Sequence, residues 1–254
     1  MNEPLPALEA SAWRNTLTPL TDLPQSIVEQ IVVLEETTST QDECRRRAEG
    51  RPGLLVTTLR QTSGRGRLGR QWADDQGEGV ALTISVPAQP PERLSIAAAI
   101  AVCEAAEQFA GRQLGIRWPN DIMADGRKLA GILIEQIGRI ALIGIGINLN
   151  QTEWPTELSP IAISLRQLAA DVPSRCQIIA HVLGRLAANL QATPEQLATA
   201  FQRRDILAGN TQSFQTGAER ITGLVERIDP LQGLLVRTAS GQRVLPASTT
   251  SLVH

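Results

Sequence analysis

Tyrosine is absent, lysine occurs once and histidine twice in this 254-residue chain, and each scarcity removes a class of chemistry. With only His181 and the final residue His254 available, neither a histidine-based catalytic triad nor a zinc site is expected. Cys44, Cys103 and Cys176 are odd in number and lack the spacing of metal ligands or a redox pair, which points to a reducing, cytoplasmic setting. No basic head followed by an apolar run opens the sequence, so no signal peptide is expected. Every apolar stretch is broken well before the ~18 residues that a membrane span needs. A net charge of −2 argues against a protein that coats nucleic acid, and four Trp with three Phe leave little for base stacking. What is present is 42% hydrophobic and 20% charged residues, a folded chain long enough for one large domain or one plus a small appendage.

The pattern along the chain is that of an α+β protein. Residues 1–30 read as a short helix plus connections, too few for a separate winged-helix domain. Residues 31–34, 54–59 and 79–86 read as strands, the last with Val80, Leu82, Ile84 and Val86 alternating. Between the first two, Thr40 and Glu43 have the spacing of a capping box that opens a helix. The alanine-rich segment 94–110 predicts a helix packed on a sheet, and 116–123 a short extended stretch interrupted by Pro119. Segments 128–136 and 139–148 form a hairpin around Gly138-Arg139, and 177–190 and 195–204 read as helices. This order predicts a mixed, largely antiparallel sheet with flanking helices. Beyond about residue 212, strands at 221–225, 234–238 and 243–245, separated by tight turns, predict a small SH3-like β-barrel. The expected division is therefore 1–212, with its core at 31–205, and 213–254.

Three motifs carry the chemistry. In Gln61-Thr62-Ser63-Gly64-Arg65-Gly66-Arg67-Leu68-Gly69-Arg70-Gln71-Trp72, arginines alternate with glycines, and the whole of 50–73 holds no acid. Guanidinium groups and closely approaching backbone amides suit a phosphate or carboxylate. A solvated loop or an RNA-contacting segment is equally compatible with that spacing. The second motif is Arg117-Trp118-Pro119-Asn120-Asp121, followed by Gly126-Arg127-Lys128-Leu129-Ala130-Gly131-Ile132-Leu133. Asp121 suits either a Mg²⁺ ligand or the cap of a turn. Among 24 basic residues Lys128 alone is not arginine, and it opens an apolar strand. It is either a site that needs a compact ammonium or a lysine snorkelling from a strand edge. The third motif is Gly144-Ile145-Gly146-Ile147-Asn148, where alternating glycines admit another backbone or a flat ring.

Taken with Thr38-Ser39-Thr40, these motifs resemble the catalytic domain of the biotin–protein ligases, in that family's order and spacing. The resemblance runs from about residue 31 to 165 and less specifically through the C-terminal segment. It implies that Ser39, Thr40 and Gln41 face the ureido ring of biotin, and that Gln61, Arg65, Gly66, Arg67 and Gly131 complete the biotin site. Arg65, Arg67, Arg70, Trp72, Asn120 and Asn148 would bind ATP or the adenylate, with Trp72 beside adenine and Asn148 at its edge. Lys128 would bridge the biotin carboxylate and the α-phosphate, and Asp121 would serve Mg²⁺ or the acceptor lysine. Gln41 stands where the family usually has Asn, and Arg117 where it commonly has Lys.

The reaction implied is attack of biotin's carboxylate on the α-phosphorus of MgATP, followed by transfer of biotin from biotinyl-5′-AMP to a lysine. The acceptor would be a biotin carboxyl carrier protein, a subunit of acetyl-CoA carboxylase. A homodimer is compatible with the resemblance, which leaves the oligomeric state open. No DNA-binding domain precedes residue 31, so no DNA partner is expected, and no membrane partner either. A lipoate-type ligase is the near alternative, and a nucleic-acid-binding module using the arginine loop is the distant one.

Overall fold

The computed structural model describes residues 6–73, 77–246 and 249–253. Helix α1 (Pro6–Leu17) leads through a 3-10 turn into β1 (Gln30–Thr37), helix α2 (Thr40–Arg47) and β2 (Leu54–Gln61). The arginine–glycine segment forms a miniature hairpin, β3 (Gly64–Arg65) and β4 (Gln71–Trp72), around a 3-10 turn at Arg67–Gly69. Strand β5 (Val80–Pro87), helix α3 (Pro91–Ala110), and strands β6 (Gly115–Arg117), β7 (Asp121–Ala124), β8 (Arg127–Ile137) and β9 (Ile140–Ile147) follow. Helices α4 (Arg175–Gln191) and α5 (Pro194–Gln202) complete the first part.

Seven of these strands make one sheet in the order β1-β2-β5-β9-β8-β7-β6. Only β1 and β2 run parallel; every other neighbouring pair is antiparallel, as the sequence pattern predicts. Alternation assigns the faces. Leu82, Ile84, Ile132, Ile143 and Ile145 point to the main core with α3 and α4, where Leu94 to Ala106 are almost all buried. The other face carries Ala81, Thr83, Gly131, Leu133, Gly144 and Gly146, and it is covered by α2 through a smaller cluster that includes Cys44, Ala48 and Val56. That second face holds the cavity described below.

The start of α2 differs from its expected cap. Ser39, not Thr40, is the N-cap, accepting from the Asp42 amide, so the fourth position of the box is Asp42. Glu43 instead pairs with Arg46 and Arg47, and its carboxyl is lowered chiefly by the Arg47 hydrogen bond. The Thr40 hydroxyl is thereby released to the cavity.

The C-terminal segment forms a five-stranded antiparallel sheet from β10 (Thr211–Thr216), β11 (Glu219–Asp229), β12 (Gly233–Thr238), β13 (Gly241–Leu245) and β14 (Thr250–Leu252). Its order is β13-β12-β11-β10-β14. Among the described residues the edge strands β13 and β14 are not paired with each other, so hydrogen bonding does not close the expected ring. The sheet begins at Thr211, two residues before the expected boundary at 213, and Phe214, Val225 and Val236 belong to the same apolar core as the first sheet. No described helix is long and apolar enough to cross a membrane.

Candidate active site

The cavity has a floor, two ends and a flap. Its floor is the hairpin β8–β9, where Gly131 pairs with Gly146 and Leu133 with Gly144. The ring of Trp72 lies against Gly146 and Gly131, and a Cβ at Gly146 would collide with it. Gly144 likewise leaves room for the Gln41 amide, whose Oε1 would be 2.5 Å from an added Cβ. The alternating glycines thus admit a flat ring, as their spacing suggests, and the ring is the protein's own.

At one end sit buried hydroxyls and amides. Thr40 donates from its backbone N–H (2.9 Å) and its hydroxyl (3.2 Å) to Gln61 Oε1. Thr83 donates towards Thr40 Oγ1 at 3.0 Å and Gln41 Oε1 at 3.2 Å. Ser39 is buried beside them at the start of α2. Gln41 Nε2 has no partner in good geometry, although it lies near enough to Glu135 to favour that carboxylate's charged form. An unsatisfied buried donor beside several hydroxyls suits a small neutral group with both acceptors and donors.

At the other end sit the charges. Asp121 at the head of β7 is bound on one oxygen by Lys128 Nζ at 2.6 Å and on the other by Arg117 at 2.8 Å. Burial opposes ionisation of Asp121, but Lys128 and Arg117 outweigh it and hold its carboxyl below the usual range. Lys128 also stands over the Trp72 ring, 5.5 Å from its centroid. Asn120 accepts from Arg67 Nη1 at 3.1 Å while its own amide donates to the Ile132 carbonyl. Burial pulls the Arg67 guanidinium below its ordinary pKa, with Asp121 opposing the shift and Arg70 adding to it.

The hairpin 64–72 forms the flap. The Gly66 amide donates to the Arg70 carbonyl, and Leu68 and Gly69 adopt positive φ at the tip (54° and 75°). The Arg65 guanidinium turns away from the cavity's charged end and pairs with Asp42 and Glu135, at 2.7 Å each. Burial raises the Glu135 carboxyl, but Gln41, Arg45 and Arg65 together bring it below its ordinary value.

The structure gathers Ser39, Thr40, Gln41, Gln61, Arg65, Gly66, Arg67, Arg70, Trp72, Asn120, Asp121, Lys128 and Gly131 around this one cavity. Asn148 is not on its wall. The Asn148 amide is buried and donates to the carbonyls of Lys128 and Ile163, so it braces the start of β8 and has no free donor for a base edge. Asp121, the residue expected to serve Mg²⁺ or the acceptor lysine, is engaged with two cations here. Both its oxygens are already matched to cations, and no cluster of three or more potential ligands occurs among the described residues.

Thr83 and Glu135, which hold lining residues, and Ser251 and Leu252, which line the cavity, were not singled out from sequence. The first had a signal: a threonine inside an apolar strand needs a partner when buried. Ser251 and Leu252 had none, because β14 is three residues long. No cysteine lines the cavity, and burial pushes the Cys44 thiol up to about 12, so no thiolate nucleophile is at hand.

Residues 31–151 match the biotin/lipoate A/B protein ligase family. A biotin–[acetyl-CoA-carboxylase] ligase of Mycobacterium tuberculosis is 33% identical over 241 residues, covering 89% of this chain and 89% of that protein. The bifunctional ligase/repressor BirA of Bacillus subtilis is 42% identical over 142 residues, which are 52% of this chain and only 44% of that longer protein. Among solved structures, the biotin protein ligase of Aquifex aeolicus in complex with biotin and ATP superposes with a TM-score of 0.80 at 26% identity, covering 89% of this chain and 99% of that one.

Proposed function

We propose, from the premise that this chain belongs to the biotin/lipoate A/B protein ligase family, that it is a biotin–protein ligase that forms biotinyl-5′-AMP and passes biotin to a protein lysine. The observation that carries the reading is one cavity with a neutral hydrogen-bonding end and a cationic end, spanned by a glycine-lined floor. Such a cavity suits a molecule with a ureido ring at one end and a carboxylate at the other.

Ser39, Thr40, Gln41 and Gln61 take the ureido ring, with Thr83 orienting the Thr40 and Gln41 groups. Leu133 and Gly131 line the path of the acyl chain. Lys128 meets the carboxylate and the α-phosphate, while Arg67 and Arg70 offset the triphosphate charge. Asn120 fixes Arg67, Trp72 borders the nucleotide, and the backbone of Arg65-Gly66-Arg67 contacts the adenylate. Asn148 acts through the strand it braces.

In the first step a carboxylate oxygen bonds to the α-phosphorus and pyrophosphate leaves. In the second, the neutral acceptor nitrogen bonds to the acyl carbon, the carbon–oxygen bond to phosphate breaks, AMP leaves with that electron pair, and the amine's proton passes to solvent. Stabilising charge is all the protein must supply, in keeping with its lack of an activated nucleophile. Mg²⁺ enters with ATP as substrate. The acceptor is a biotin carboxyl carrier protein, as the names of the Mycobacterium and Paracoccus relatives suggest, and the location is cytoplasmic. The unit 1–212 carries the chemistry. The unit 213–254 is an SH3-like barrel in strand content, lending Ser251 and Leu252 to the rim. The pairing of Arg65 with Asp42 and Glu135 and of Arg67 with Asn120 counts against nucleic-acid binding by the flap.

Incubation with biotin, MgATP and a biotin-acceptor domain tests this directly. Intact-mass spectrometry should show one biotinyl group on the acceptor lysine, and biotin should support ATP–pyrophosphate exchange. Exchange driven by lipoate and not by biotin would overturn the substrate assignment.

A further inference from the structure

We infer that Lys128 is a latent acylation site of the enzyme itself, and that Asp121 restrains its amine from reacting with the acyl-adenylate formed alongside. This rests on the reading of the cavity as the place where that adenylate forms. Lys128 is the only lysine in the chain, so it is the only side-chain amine the enzyme exposes to its own product. It lines the same cavity as Arg67 and Arg70, and with 30% of its side chain accessible a reagent can reach it.

Its surroundings oppose nucleophilic attack. Nζ lies 2.6 Å from Asp121 Oδ1 and over the Trp72 face, two contacts that hold the group in place. Arg117 would repel that ammonium, but its guanidinium is directed to the other Asp121 oxygen at 2.8 Å, and Arg67 also interacts with the same carboxylate. Acylation needs the neutral amine. The nitrogen lone pair would bond to the acyl carbon, the carbon–oxygen bond to phosphate would break, AMP would leave with that electron pair, and a proton would pass to solvent. An ammonium held by a carboxylate has no lone pair to give. The other basic residues are arginines, whose guanidinium groups resist acylation at neutral pH. The chain therefore combines an exterior without lysine and one amine held in check at the centre.

The test uses the whole protein and needs neither biotin nor ATP. Wild type and Asp121→Asn are treated with the N-hydroxysuccinimide ester of acetate, with Nα-acetyl-lysine amide in the same tube as a freely exposed reference. Peptide mass spectrometry then gives the rate at Lys128 relative to the reference. In wild type Lys128 should react far more slowly than the reference. Asp121→Asn should react faster, on the order of tenfold, the effect of losing one hydrogen bond between charged groups. Equal rates for wild type and a variant with an unchanged melting curve would overturn the inference. If the variant does not fold, the wild-type rate decides: Lys128 as reactive as the reference refutes any restraint. A further arm incubates wild type with biotin and MgATP without acceptor; biotinyl-Lys128 accumulating there would also refute it, whereas failure of pyrophosphate exchange would sink the proposed function and leave the acetylation result standing.

Discussion

The floor of the cavity, β8 and β9, is a long antiparallel pair whose core-facing side chains are buried, whereas the flap over it, residues 64–72, is two residues a side and mostly exposed. The floor is fixed by apolar burial and by Gly146, where a Cβ would collide with the Trp72 ring. The flap is held by charge-assisted contacts, Arg65 to Asp42 and Glu135 and Arg67 to Asn120. Burial is insensitive to salt, and half-exposed ion pairs are screened by it. One region therefore supplies a constant shape and the other an adjustable cover, a division that fits a site which must admit a large nucleotide and then exclude water.

Lys128 stands where the two regions meet, and its replacement should have the largest effect. Lys128→Arg keeps the charge, but a planar guanidinium does not fit between Asp121 and the Trp72 ring. Adenylate formation should fall about 10²–10³-fold, the range for losing one preorganised stabiliser. Pyrophosphate exchange within threefold of wild type would show that the ammonium has no special place there. Next comes the floor. Gly146→Val forces Trp72 off its seat and should cost about 1–3 kcal/mol of stability, as overpacking does, with a larger loss of activity. An unchanged melting temperature would mean that the floor is softer than the flap.

The pH dependence separates the two regions further. The Asp121 carboxyl is held below its ordinary value, so its contribution is complete above about pH 4 and is lost as pH falls towards the folded-state value. Melting temperatures should therefore drop more steeply below pH 4 in wild type than in Asp121→Asn. The smallest change in stability belongs to the flap: Glu135→Gln should move global stability by less than about 1 kcal/mol. The same substitution should nevertheless speed tryptic cleavage after Arg65, Arg67 or Arg70, and biotin with MgATP should slow that cleavage in wild type. Identical digestion with and without ligands would remove the flap from the mechanism.

Much of this was legible in the chain because it is local. Alternation in 79–86 marks β5, the alanine-rich run marks α3, and Gly138-Arg139 marks the turn between β8 and β9. Their periods of two and 3.6 residues are written residue by residue. The arginine–glycine loop, Lys128, Asp121 and the alternating glycines were likewise visible as unusual chemistry, and the tertiary structure brings them to one cavity. The sequence by itself determined the strand and helix pattern and the inventory of cations. Only the tertiary structure decided the partners of several site side chains, because those partners lie far away in the chain: Glu135 for Arg65, Asn120 for Arg67, and the carbonyls of Lys128 and Ile163 for Asn148. The segment 50–73 carries no acid of its own, yet its arginines meet Glu36, Asp42, Glu49 and Glu135 in space. Charge acts through distance in three dimensions, and spacing along the chain does not encode that distance.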